Sequence, residues 1–191
     1  MGITIHYRGK LNSPELRDSV CDELTDIAIE MDWKYYPIVN NKDSVKGIII
    51  SPHPKSEALS FLFGKDGGLK DFRPWEYNNK NEEKIDDSYL SVKTQFAPIE
   101  IHIAIIKLFK YLKKKYISNL KVYDEGKYWD TEDEELLREK ISFLNRMMDE
   151  IEGLLNEVKT VKGETAESFI KKIENLLSEK YGTKAEIKKI K

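Results

Sequence analysis

The sequence predicts an α+β fold: a two-layer sandwich with a mixed β-sheet in the order β-α-β-β-β-α-β, followed by a C-terminal helical hairpin. Three observations predict it. Several short segments alternate apolar and polar residues, two amphipathic helical patterns lie between them, and a heptad repeat is confined to the last third of the chain. The expected division is a sandwich domain at 1–130 and a hairpin at 131–191, the latter packed on the domain or dimerising.

The first strand is read from residues 3–9, where Ile3, Ile5 and Tyr7 share one face and Thr4, His6 and Arg8 the other. Asn12 and Ser13 precede Pro14 and Glu15, which predicts a helix start with Ser13 as cap and Pro at the first helical position. Leu16, Val20, Leu24, Ile27 and Met31 then recur at spacings of four and three, an amphipathic helix ending near Trp33. Val45 to Ser51 and Ala58 to Phe63 read as a strand pair turned at Pro52-His53-Pro54-Lys55, and Tyr89 to Phe96 as a third strand. Pro98 opens a helix with apolar residues on more than one face, whose basic end, Lys107 to Lys115, suits the negative end of the helix dipole. Leu120, Val122 and Tyr123 form a short closing strand. The pattern strand, Pro-initiated helix, strand occurs at 3–38 and again at 89–123, a weak internal echo.

From Thr131 the pattern changes. Thr131-x-x-Glu134 fits a capping box, and Leu137, Ile141, Leu144, Met148, Ile151, Leu155 and Val158 recur at alternating spacings of four and three. Gly163 marks a turn before a second apolar face carried by Ala166, Phe169, Ile170, Ile173, Leu176, Leu177 and Tyr181. The stretch 64–87 resists assignment. It is longer than most connections in compact domains, and Phe72, Trp75 and Tyr77 suggest a loop that docks as a lid.

Composition narrows the function classes. The 191 residues are 40% hydrophobic and 35% charged, with only ten Gly and six Pro, as in a globular chain. Thirty-two basic residues face 34 acidic ones, a net charge of −2. The balance holds as 20 against 20 in 1–130 and 12 against 14 in 131–191, so neither part is a charged arm, which argues against a nucleic-acid partner. Cys21 has no second thiol, so no disulfide framework or thiolate zinc site is expected and a reducing, cytoplasmic setting is. The first residues lack the apolar run of a signal peptide. The longest apolar stretch, Ile99 to Phe109, falls well short of the roughly 20 residues that span a bilayer, so no membrane partner is expected.

Catalytic motifs are sparse. The chain has no H-E-x-x-H, C-x-x-C, G-x-S-x-G, P-loop or dinucleotide fingerprint, and its three histidines, His6, His53 and His102, are far apart, so neither metal nor cofactor is expected. Strand alternation offers one constellation. Opposite the apolar face stand His6 and Arg8, Lys93 and Gln95, and Tyr123 or Glu125. Arg8 and Lys93 suit an anion, His6 a proton exchange near neutral pH, and Asp124 or Glu125 a base or metal ligand at a strand end. The plain alternative is the wetted face that antiparallel sheets commonly have. Asp124-Glu125-Gly126-Lys127-Tyr128-Trp129-Asp130 concentrates carboxylates and aromatics, and with Trp75 supplies the expected ligand-binding side chains Trp75, Tyr123 and Trp129. The leading reading is the plainer one, a tight turn in which Gly126 supplies a positive φ and Trp129 anchors the chain. His102 is expected as a core histidine and the Lys107–Lys115 run as a solvated face. The leading functional expectation is a non-catalytic interaction or ligand-binding protein, dimeric through its C-terminal helices, with an unidentified protein or small molecule as further partner. The alternative is a small metabolic or hydrolytic enzyme using His6, Arg8, Lys93, Gln95 and Glu125.

Overall fold

The computed structural model describes residues 2–40, 45–71 and 89–157, together with 165, 167–172 and 175. Among them are seven strands: β1 (Thr4–Arg8), β2 (Lys34–Asn40), β3 (Val45–Ser51), β4 (Leu59–Phe63), β5 (Leu69–Lys70), β6 (Leu90–Lys93) and β7 (Lys121–Asp124). The helices are α1 (Arg17–Glu30), α2 (Ile99–Lys115), the single turn α3 (Tyr128–Thr131) and α4 (Glu134–Glu157), with a 3-10 turn at Pro14–Leu16 and a further helical stretch at 167–172. The α+β class is therefore as the alternation and the amphipathic patterns predict.

The sheet differs from the mixed one expected. The strands form two sheets, β6-β1-β7 and β2-β3-β4-β5, and every pairing between them is antiparallel. The reason lies in how the connections close. The β2-β3-β4-β5 sheet is a meander of neighbours in sequence. In the other, β6 and β7 are joined through α2 yet separated by β1, which runs opposite to both. The strands flanking α2 therefore share a sheet without pairing, whereas β1 and β2, flanking α1, belong to different sheets, and the echo between 3–38 and 89–123 is not a repeat of topology. β2, absent from the expected strand order, contains Pro37, which a strand tolerates at a sheet edge, where β2 lies.

Backbone bonds join the two sheets. Past the end of β1, the Gly9 carbonyl accepts the Leu69 N–H (3.0 Å) and the Leu11 N–H donates to the Gly67 carbonyl (2.9 Å). At the open edge of β6, the Glu57 N–H donates to the Lys93 carbonyl (2.9 Å) and Glu57 Oε2 accepts the Lys93 N–H (2.8 Å). Tyr7 closes the edge of β4, its hydroxyl accepting the Ser60 N–H (3.0 Å) and donating to the Ser60 carbonyl (2.9 Å). Gly47, paired with Leu62, tolerates no side chain: a Cβ there would lie 2.0 Å from the Phe61 carbonyl oxygen.

One core lies on the buried faces. Ile5 and Tyr7 of β1, Ile48 and Ile50 of β3, Phe61 and Phe63 of β4, Val20 and Leu24 of α1, and Ile105, Ile106 and Phe109 of α2 are all buried in it. Tyr7 sits between Phe109 and Phe61, with ring centroids 4.6 and 6.1 Å away. Burying side chains of this size stabilises the fold by roughly 1.5–3 kcal/mol each. Cys21 belongs to the same core, and burial pushes its thiol up to about 11, so it is a packing residue and not a nucleophile. Ser13 makes no side-chain cap bond to the first helix. Asn12 beside it is bonded instead to the far end of the sandwich, its Oδ1 accepting the Ser118 N–H (2.9 Å) and hydroxyl (2.7 Å).

The chain divides into two compact units, Met1–Ile141 and Ser142–Lys191, and α4 runs through the boundary. The start of α4 is fixed in the first unit by Leu137, which is fully buried, and by Ile141, packed against the core. Thr131 does not cap it. Asp133 does, its Oδ1 accepting the Leu136 N–H (3.0 Å). In the second unit the described residues are the rest of α4, the stretch 167–172, and residues 165 and 175. The expected turn at Gly163, Val158, Ala166 and the apolar positions from Ile173 on lie outside the described residues, as does most of the 64–87 stretch, including Phe72, Trp75 and Tyr77.

Candidate functional site

The end of β7 places two adjacent carboxylates on opposite sides of one sheet. The β1–β7 register pairs Ile5 with Asp124 and His6 with Tyr123, so Asp124 points into the core and Tyr123 outward. Glu125 follows on the outer side, where its Oε2 accepts the Thr4 N–H (2.9 Å) and its Oε1 lies 3.9 Å from His6 Nε2.

On the inner side Asp124 completes a buried row with His102 of α2 and Thr94, one residue beyond β6. Thr94 Oγ1 lies 2.7 Å from His102 Nδ1, and His102 Nε2 lies 3.2 Å from Asp124 Oδ1. All three side chains are buried. The Nε2–Oδ1 approach is close but misaligned, so Nε2 makes no well-formed hydrogen bond among the described residues. The carboxylate is satisfied by backbone: Oδ1 accepts the Gly126 N–H (2.7 Å) and Oδ2 the Trp129 N–H (3.0 Å). Burial pushes the Asp124 carboxyl up, but the neighbouring His102 and the two backbone donors outweigh it and hold the group below its ordinary value. The row has the residue types of a hydroxyl–imidazole–carboxylate relay. With the threonine hydroxyl buried, it ties β6, α2 and β7 together and offers no nucleophile to solvent.

Gly126 is required here for space and not for a positive φ. A Cβ would lie 2.6 Å from Leu137 Cδ1 and 3.1 Å from His102 Nε2, and the left-handed residue of this turn is Lys127, at φ 68°. Trp129 anchors the turn as expected, packed on the core with the Lys110 and Lys113 ammonium groups 5.7 and 5.4 Å from its ring.

The predicted outer-face constellation is brought together only in part. His6, Tyr123 and Glu125 are neighbours on one open face. Arg8 shares the face but lies over the Tyr89 ring (4.6 Å), and Lys93 over Phe96 (5.2 Å). Gln95 stays near Lys93, since a Cβ on Gly2 would lie 2.6 Å from Lys93 Cε and 2.8 Å from Gln95 Oε1, but it is not open to solvent. β6 ends at Lys93 and the chain turns, with the Ala97 N–H donating to the Thr94 carbonyl (3.0 Å), so alternation stops and Gln95 is buried. Asp124 leaves the face altogether, on the inner side.

A separate cleft of about 210 Å³ opens between the facing edges of β4 and β6, lined by Tyr7, Glu57, Ser60, Asp71, Leu90 and Ser91, none of them a predicted site residue. The buried Ser60 hydroxyl in it has no hydrogen-bond partner among the described residues. No group of three His, Cys, Asp or Glu side chains suited to a metal ion occurs among the described residues, and no helix among them is long and apolar enough to cross a membrane. Sequence reasoning missed Thr94 and the linkage of His102 to Asp124. The signal was a carboxylate two residues after Val122, on the apolar side of the strand, together with a histidine on a helix otherwise apolar at that point. Comparison with protein-family models, with curated proteins and with solved structures finds no match.

Proposed function

We propose that the chain is a non-catalytic interaction protein that self-associates through the residues beyond Ile141, its partner being a second copy of itself. One observation carries this reading. Met148 and Ile151, successive positions of the heptad seam that starts in the core at Leu137, are 42% and 43% exposed in the single chain. A lone exposed apolar residue is ordinary, but a seam repeating every 3.5 residues is the surface on which a second helix packs. Phe143 on α4 and Ile170 in the 167–172 stretch are exposed as well, so both described helical parts of this unit carry apolar surface that pairing would remove from water. A two-fold arrangement covers the seams of both copies at once. The enzyme alternative has less support. Of its five residues His6 and Glu125 lie 3.9 Å apart on an open face, while Gln95 is buried and Arg8 lies over the Tyr89 ring.

Sedimentation equilibrium of the full chain and of a Met148→Asp/Ile151→Asp variant tests the proposal. The unmodified chain is expected to be a dimer at micromolar concentrations and the variant a monomer with unchanged circular dichroism. An unmodified chain that stays monomeric throughout that range overturns it.

A further inference from the structure

The outer face of the β6-β1-β7 sheet carries more aromatic surface than a wetted face requires. Tyr89, Phe96 and Tyr123 are 39%, 49% and 54% exposed. Each has a cation near its ring: Arg8 4.6 Å from the Tyr89 centroid, Lys93 5.2 Å from Phe96, and Lys127 5.5 Å from Tyr123. The register of β1 and β7 sets His6 beside Tyr123, with ring centroids 5.9 Å apart, and Arg8 beside Lys121. Among the described residues, against Arg8, Lys93, Lys121 and Lys127 stand Glu125, engaged with the Thr4 N–H, and Glu57 at the sheet edge, engaged with the Lys93 N–H. A chain with a net charge of −2 thus gathers positive charge around exposed rings.

Two chemical requirements meet on this face. Unpaired bases stack on aromatic side chains whatever their sequence, and the phosphates between them need cations at the rim. We propose that the outer face of this sheet binds single-stranded nucleic acid, with bases stacked on Tyr123, His6 and Phe96 and phosphates against Arg8, Lys93, Lys121 and Lys127. A duplex, whose bases are paired and stacked on one another, offers no free ring faces to the platform. The lysine run Lys107–Lys115 is a different surface, because α2 packs on the buried side of this sheet through Phe109 against Tyr7.

The test is fluorescence anisotropy of labelled single-stranded oligonucleotides of about 12 residues, oligo-U and oligo-dT in separate arms, titrated with the full chain at low salt. Tyr123→Ala/Phe96→Ala is compared with Lys107→Gln/Lys114→Gln, which removes charge from α2 alone. Saturable micromolar binding is expected, lost about tenfold or more in the aromatic variant and less than about twofold in the α2 variant, with a duplex of equal length bound more weakly. The affinity should fall with added salt at a log–log slope of about −0.7 per phosphate engaged. Absence of binding at tens of micromolar protein, equal losses in the two variants, or equal binding of the duplex overturns the proposal. Circular dichroism of each variant separates these outcomes from misfolding.

Discussion

Asp124 and Glu125 are chemically near-identical neighbours, and the period of the strand assigns them opposite tasks. Glu125 sits on a face open to water beside His6, where an ion pair contributes little to stability. Asp124 is taken out of water and kept ionised by two backbone donors and His102. Its carboxyl titrates below its ordinary value in the folded chain, so it stabilises the fold above the unfolded-state pKa, near 4, and that contribution is lost as pH falls through the lower folded value. Urea midpoints measured between pH 7 and pH 3 should therefore fall below about pH 4, and Asp124→Asn should give a lower midpoint at pH 7 with a flatter acid limb. The loss at pH 7 is expected to be about 1–3 kcal/mol, since the amide leaves one of the two buried backbone donors without its acceptor. Which of the two carboxylates faces inward was legible in principle from Val122, two residues before Asp124. The partnership with Thr94 and His102 was not, because it depends on where α2 crosses the sheet.

The elements show why local patterns are read more easily than their ends. The helical spacing of Val20 and Leu24 places both in the core as their periodicity implies, yet α1 stops at Glu30 through a backbone device with no Gly or Pro to announce it. Asp32 adopts φ 53°, the Trp33 N–H donates to the Ala28 carbonyl (2.8 Å) and the Asp32 N–H to the Ile29 carbonyl (3.1 Å), a Schellman closure with aspartate where glycine is usual. Asp32→Gly should therefore raise stability by about 0.5–1 kcal/mol, read as a higher urea midpoint with unchanged slope. The middle of α1 is tied to the end of α2, whose Lys115 lies 2.6 Å from Glu23, with the Tyr116 hydroxyl donating to the same carboxylate. The start of α4 shows the same limit: two acceptors, Thr131 and Asp133, stood in the right neighbourhood, and the left-handed backbone at Glu132 (φ 55°) makes Asp133 the cap. β2 is absent from the expected strand order although the 3–38 pattern ends in a strand there, and its Pro37 is tolerated because β2 is an edge strand.

At the scale of the molecule, overall charge balance concealed how charge is distributed. The α1 surface is acidic, with Asp22, Glu23, Asp26 and Glu30 along one shallow depression, while the outer face of the β6-β1-β7 sheet is basic and aromatic. Summation over the sequence cancels them, and only the fold separates them. The division into two sheets was likewise beyond sequence reading, because it depends on long-range pairings such as that of Thr4 with Lys93, which no local periodicity encodes. The described positions of the heptad seam divide between two roles that its spacing does not distinguish: Leu137 closes the core of the first unit, whereas Met148 and Ile151 in the second are exposed. The central claim, that this second part of the seam is where two copies meet, is tested most directly by amide hydrogen exchange of the full chain at two protein concentrations on either side of the association midpoint. Protection of the amides of residues 142–157 should increase at the higher concentration while β1, β3 and β4 exchange equally slowly at both. Equal protection of residues 142–157 at the two concentrations, or an increase confined to the sheets, would contradict it.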